Sequence, residues 1–208
     1  EKPLQSLTYS SIHTSFYQEL RDYFSLCAMA RGKSHLKITA EERLFGTRVI
    51  IEKSINLSVT NALKNFPELK QELFKQKFFG GSRKQGVSIR LPLSSCEPTK
   101  ACANLCYAHD VLDAAPPAVI RGALNGVICE LFAKSPSEFQ GYIETYWSKW
   151  IDAAITLSFD EAALAGFARK PRIRFGHVGD GAPFHTLFNA LAGAVKKRSN
   201  GRVQSVIY

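Results

Sequence analysis

Apolar positions in the first third of the chain recur at helical spacing. Ile12, Phe16, Leu20, Tyr23, Phe24 and Cys27 fall every three or four residues, which predicts a helix over 11–31 with Cys27 on its buried face. Arg31-Gly32-Lys33 reads as its stop. Thr39-Ala40-Glu41-Glu42 has the capping-box pattern, in which Thr and Glu side chains satisfy free backbone N–H groups, so a second helix is expected to start near Thr39. The β-branched run Val49-Ile50-Ile51 suits a strand as well as a helix. Pro67 opens a third helix over 68–77, with acids early and lysines late, as the helix dipole favours. Gly80-Gly81 and Gly86 then break the pattern and mark a boundary between residues 1–82 and 83–208.

Beyond the glycines the period changes. Val87, Ile89, Leu91 and Leu93 alternate as in a strand that ends near Pro92. Pro116-Pro117 opens a helix to about 133, whose apolar face includes Val119, Ile120, Leu124, Val127, Ile128 and Cys129; Cys129 reads as packing. Ser137 is expected to cap a helix over 137–155 striped by Tyr142, Tyr146, Trp147, Trp150 and Ile151, a pattern that reads as core. A short helix over 159–167 follows. Residues 172–178 alternate again, Gly179-Asp180-Gly181 is a loop, Pro183 starts a helix through Lys196-Lys197-Arg198, and 203–208 returns as a strand. A strand, helix and strand in this order predict a parallel β/α unit. The fold class expected is α/β: parallel β/α units carried by 83–208, preceded by a helical region over 1–82.

Composition narrows the setting. Hydrophobic content of 45% and charged content of 22% suit a globular protein, and no apolar run approaches the length that spans a bilayer, so no membrane partner is expected. The chain starts at Glu1 without an initiator Met or a signal-peptide core, and it stops inside the last predicted strand, so either it is a fragment of a longer protein or the sheet is completed by strands read here as helix. Five cysteines, an odd number, argue against a fully paired disulfide framework and for a reducing, cytoplasmic setting. The net charge of +9 is uneven: residues 1–95 hold 15 Lys and Arg against 8 Asp and Glu, and 96–208 hold 12 against 10. A basic N-terminal region suits an anionic partner such as nucleic acid, although acids are interleaved with it.

Three cysteines crowd into eleven residues directly after the first strand: Cys96, Cys102 and Cys106, followed by His109. Clustered thiolates are soft ligands that grip zinc or iron–sulfur centres. With His109 the set closes a tetrahedral zinc site; without it, three thiolates hold a [4Fe–4S] cluster with one iron open. Spacing alone leaves both readings standing. His177, one residue from a strand end, is a candidate ligand or proton carrier; His185 reads as surface, and His13 and His35 have no visible company. No phosphate loop of the Walker type, no GxSxG elbow and no HExxH is present.

A three-cysteine loop at the mouth of the first strand of a parallel β/α unit resembles the radical S-adenosylmethionine superfamily. There the loop carries a [4Fe–4S] cluster, and a glycine-rich motif after the second strand receives the cofactor. The resemblance makes Gly179, Asp180 and Gly181 the S-adenosylmethionine-binding residues, with Tyr107 as the aromatic beside the cluster, and implies part of a (β/α) barrel. The spacing here, Cys-x5-Cys-x3-Cys, is wider than that superfamily's commonest one, and Tyr107 follows the third cysteine rather than preceding it. Cys106-Tyr107-Ala108 and Arg172-Ile173-Arg174 through Gly179-Asp180 are more closely similar to the gene product 88-like family of phages and plasmids, over residues 87–208. That resemblance implies a mobile-element protein and no substrate. The expectation is a metal-cluster enzyme of the radical S-adenosylmethionine type; the alternative is a zinc-stabilised (Cys3His) nucleic-acid-binding protein.

Overall fold

The computed structural model describes residues 4–31, 37–76, 79–82, 86–96, 115–178 and 184–207. These form two compact units that interleave along the chain. The first comprises residues 1–72 and 92–127, the second 73–91 and 128–208.

The first unit is helical. Helix α1 (Tyr9–Ser15) starts two residues before the predicted helix, because the Thr8 hydroxyl accepts the Ser11 N–H at 3.3 Å and caps it. The chain breaks at Phe16 and continues as α2 (Tyr17–Arg31). Ile12, Phe16, Leu20, Tyr23 and Cys27 are buried, so these positions of the stripe face the core across the break, while Phe24 is half-buried at its margin. Helix α3 runs over Lys37–Asn65 and packs on α2. Thr39 therefore lies inside its first turn rather than at its cap, and the ambiguous Val49-Ile50-Ile51 is helical. The reason is the stripe Leu44, Ile51, Ile55, Val59 and Ala62, buried at helical spacing. The carboxylate of Glu72, in α4 (Leu69–Lys75), accepts the Ser6 hydroxyl at 2.8 Å and the Leu7 N–H at 3.1 Å, which pins the N-terminal segment.

The second unit is α/β. Strands β1 (Phe79–Ser82), β2 (Gly86–Arg90), β3 (Arg172–Val178) and β4 (Gln204–Ile207) form one sheet in the order β1-β2-β3-β4. β2, β3 and β4 are parallel, as the alternating runs predict, and β1 pairs antiparallel to β2. β1 contains Gly80-Gly81, which the sequence presented as a break; Gly80 and Gly81 lie opposite Ser88 and Val87. β2 ends at Arg90, short of the predicted 93, because Pro92 cannot donate to a ladder and Leu93–Ser95 turn into a 3-10 helix. The described strands make a small sheet of parallel β/α units, without barrel closure among the described residues.

Helix α5 (Pro116–Lys134) passes from the first unit to the second and carries Cys129 fully buried, as read. Helix α6 (Pro136–Tyr142), a π turn (Ile143–Trp147) and α7 (Ser148–Leu164) follow. The cap residue is Ser135, with Pro136 in the first turn, rather than Ser137. The two helices expected over 137–155 and 159–167 are joined without interruption through α7. The π turn has a sequence cause. Phe139, Ile143, Trp147 and Ile151 are buried at intervals of four residues, and each such step overshoots an α-helical turn by about 40°. One wider turn absorbs the excess and keeps all four on one face. Phe74 stacks on Phe139 at 4.9 Å and on Trp147 at 5.4 Å, and the Trp147 indole N–H donates to the Phe74 carbonyl, an orphan acceptor at the end of α4. α7 lies against β1, β2 and β3, and α8 (His185–Arg198) against β4.

Candidate functional site

The approach to the cysteine loop is built from α3. Arg48 and Glu52 sit one turn apart and are completely buried, with Arg48 Nε 2.6 Å from Glu52 Oε1. The other carboxylate oxygen, Glu52 Oε2, accepts the Ser94 N–H at 2.9 Å. That donor opens the 3-10 turn and has no partner within it, so the carboxylate acts as a cap delivered from another helix. Arg48 also lies 5.9 Å from the centre of the Tyr23 ring. Burial pushes the Tyr23 phenol well above its ordinary value, with Arg48 working in the opposite direction. The phenol therefore stays neutral beside the guanidinium, and the Glu52 carboxylate pairs with it.

The turn is held from its other side by close packing. A Cβ on Gly126 of α5 would lie 2.8 Å from Pro92 Cγ and 3.1 Å from Pro92 Cδ, so only glycine admits the proline ring there. The Ser95 N–H and hydroxyl both donate to the Pro92 carbonyl, at 3.1 and 2.7 Å, and the Cys96 N–H donates to Leu93 at 3.0 Å. Cys96 leaves this turn on extended backbone, half-buried. Its position is thus fixed by a buried ion pair, a proline seat and four hydrogen bonds.

The second unit has its own feature at its sheet edge. β2 and β3 run side by side, and Arg90 is opposite Val178, so the chain leaves both strands from one edge. The register shifts between Ile89 and Arg90, since Ile89 pairs with Phe175, and β3 carries two extra residues there. Gly176, at φ 79°, takes the left-handed conformation of this bulge. Bulges re-aim the strand that follows them, and here the strand ends two residues later at Val178.

Cys96 is the one residue of the predicted metal and cofactor sets that the structure describes. Cys102, Cys106, Tyr107, His109, Gly179, Asp180 and Gly181 lie outside the described residues, as does the side chain of His177. Among the described residues no group of three or more His, Cys, Asp or Glu side chains is arranged to hold a metal ion. Cys27 and Cys129 are core residues, and burial, with Glu130 adding to it, holds the Cys129 thiol well above its ordinary value. His185 is exposed at the start of α8. His13 has company after all, stacked on Tyr9 at 5.5 Å and edge-on to Tyr17 at 5.7 Å.

Arg48, Glu52, Gly126 and Gly176 did not stand out in the sequence reading. The first two had a readable signal: charged residues at positions 48 and 52, four apart, interrupt an otherwise apolar face that includes Leu44, Ile51 and Ile55. No helix among the described residues is long and apolar enough to cross a membrane. No family model, curated protein or solved structure matches the chain.

Proposed function

We propose that the chain is a metal-cluster protein of the S-adenosylmethionine-dependent kind, in which Cys96, Cys102 and Cys106 ligate a [4Fe–4S] cluster and Gly179, Asp180 and Gly181 bind the cofactor. The observation that carries this reading is the pairing of β2 with β3. They are adjacent and parallel, one leading into the cysteine loop and the other into the glycine loop, and sites in open parallel sheets form beyond the carboxyl ends of the strands. The anchoring of the turn before Cys96 supports it further. A buried carboxylate and a proline seat fix the first thiol, and ligand sets that bind a metal tightly are held by such surroundings. The donor chemistry fits, because three thiolates suit a cluster with one open iron. Such a cluster would supply one-electron chemistry to a bound cofactor. For their part, the glycines would let the backbone approach it, and Asp180 would accept from its ammonium group.

Anaerobic purification tests the proposal. The protein is expected to be brown with broad visible absorption, and the Cys102→Ser variant to be colourless at the same yield. A colourless parent protein carrying one zinc per chain would replace this reading with the zinc-stabilised, nucleic-acid-binding alternative.

A further inference from the structure

Helices α7 and α8 end in the same way, with one difference. In α8 the N–H groups of Ser199, Asn200 and Gly201 donate to Val195, Lys197 and Lys196; in α7 those of Ala165, Gly166 and Phe167 donate to Glu161, Ala163 and Ala162. Both ends close with two successive left-handed residues: Asn200 (φ 51°) and Gly201 (φ 73°), then Gly166 (φ 59°) and Phe167 (φ 55°). The first of these positions is the one that glycine or asparagine usually fills, as Gly166 and Asn200 do; the second is also left-handed, and α8 has glycine there. In α7 it is filled by a phenylalanine, the least favourable kind of residue for that conformation. Its ring is not repaid by burial, since Phe167 is 65% exposed and the neighbouring Leu164 is 68% exposed. An aromatic ring that strains the backbone and contributes little to the core has another use.

Its surroundings are cationic. Residues 162–174 carry Arg169, Lys170, Arg172 and Arg174 and no acid. Arg169, Lys170 and Arg172 line a cavity of about 240 Å³ at the start of β3, together with Ser158, Glu161 and Leu164. Glu161, the one carboxylate in that lining, is already engaged by Arg174 at 3.4 Å. Arg202, just before β4, lies over the Phe159 ring at 5.5 Å and adds a fifth cation beside the same strand starts.

We propose that this rim, at the amino ends of β3 and β4, binds single-stranded nucleic acid. A base stacks on Phe167 and the adjoining phosphates enter the cavity between Arg169, Lys170 and Arg172. Exposed aromatics beside basic grooves are how proteins hold unpaired strands without reading their sequence, since every base offers a π face. Concavity decides against a lipid surface: a phosphate can enter a cavity lined by three cations, whereas a bilayer is flat and needs more apolar surface than Leu164 and Phe167 offer. The rim is independent of the cysteines.

The test is fluorescence anisotropy of the full chain with a labelled oligothymidylate of about twelve nucleotides, within the usual site sizes. Binding is expected to weaken with salt, with log K falling by about 0.7 per log unit of salt for each phosphate contact. Phe167→Gly is expected to weaken it on the order of tenfold, as loss of one stacked base does, while unfolding at no lower urea concentration than the parent. Phe167→Trp is expected to retain binding, and Arg169→Ala with Lys170→Ala to flatten the salt slope. Cys102→Ser is expected to leave binding unchanged, which separates this surface from the metal centre. The proposal is overturned by absence of binding, by parent-level binding in Phe167→Gly, by a loss of stability in Phe167→Gly, or by stronger binding to phosphatidylserine vesicles than to the oligonucleotide.

Discussion

Replacing Glu52 by Gln keeps the size and one acceptor oxygen of the side chain but removes its charge. Arg48 then stays fully buried without the Glu52 charge beside it, since both side chains of the pair have no exposed area. With the charge centres about 4 Å apart, the attraction lost is about 4 kcal/mol at the effective dielectric that describes most protein sites. Breaking one side of a buried pair costs about 3–5 kcal/mol in practice, which agrees. That is a large share of the roughly 5–15 kcal/mol that holds an ordinary domain together. Urea unfolding followed by far-ultraviolet circular dichroism, which reports on helices α1 to α8, measures it. The double variant Arg48→Met with Glu52→Leu removes both charges and leaves the Ser94 N–H without its Glu52 acceptor, a cost of about 1–3 kcal/mol. The double variant is therefore expected to be more stable than Glu52→Gln. A loss below about 1 kcal/mol in Glu52→Gln, or a double variant less stable than the single, refutes the claim that the pair is a buried, mutually dependent anchor.

Other expectations follow from local geometry. Gly126→Ala places a methyl group against the Pro92 ring, and overpacking of this kind destabilises by about 1–3 kcal/mol; a thermal midpoint equal to or above that of the parent would contradict the close seat. Gly176→Ala forces a side chain onto a φ of 79° and is expected to lower stability by about 1–3 kcal/mol, read by the same urea titration; an unchanged midpoint would show that the bulge does not depend on glycine. The Arg198 guanidinium hydrogen-bonds the Asp152 carboxylate, with Nε 2.7 Å from Oδ1, and holds its pKa below the usual carboxylate range. A carboxyl whose folded value is depressed stabilises fully above its unfolded value, and loses that contribution as pH falls through the folded one. Both partners are about half exposed, so Asp152→Asn is expected to lower stability at neutral pH by no more than about 1 kcal/mol, with the difference vanishing in acid. A difference that grows on acidification would contradict the sign.

The elements that the sequence disclosed were those whose burial is regular. Ile12 to Cys27, the strand alternation of Val87-Ile89 and Ile173-Phe175, and the β3–α8–β4 unit repeat with the period of their own structure, so each was readable. What escaped depended on partners distant in the chain. β1 looks like a glycine break because its pairing with Ile89, Ser88 and Val87 has no counterpart in its own residues. The π turn required comparing four successive buried positions rather than one pair. Glu52 could be seen to interrupt an apolar face, but its acceptor role depends on Ser94, which lies 42 residues away. Phe167 is set apart by its backbone, which shares the hydrogen-bond pattern and positive φ of Gly201 at the end of α8. The cluster of Cys96, Cys102 and Cys106 was plain in the sequence, and the structure adds the fixed turn that precedes Cys96.

The most direct measurement is the metal bound by anaerobically purified protein, compared between the parent chain and His109→Ala. A three-cysteine cluster has no place for the imidazole among its ligands. The account predicts iron and sulfide in equal amounts, retained in full by His109→Ala and lost in Cys96→Ala, Cys102→Ala and Cys106→Ala. One zinc per chain in the parent, lost when His109 is replaced, would contradict it.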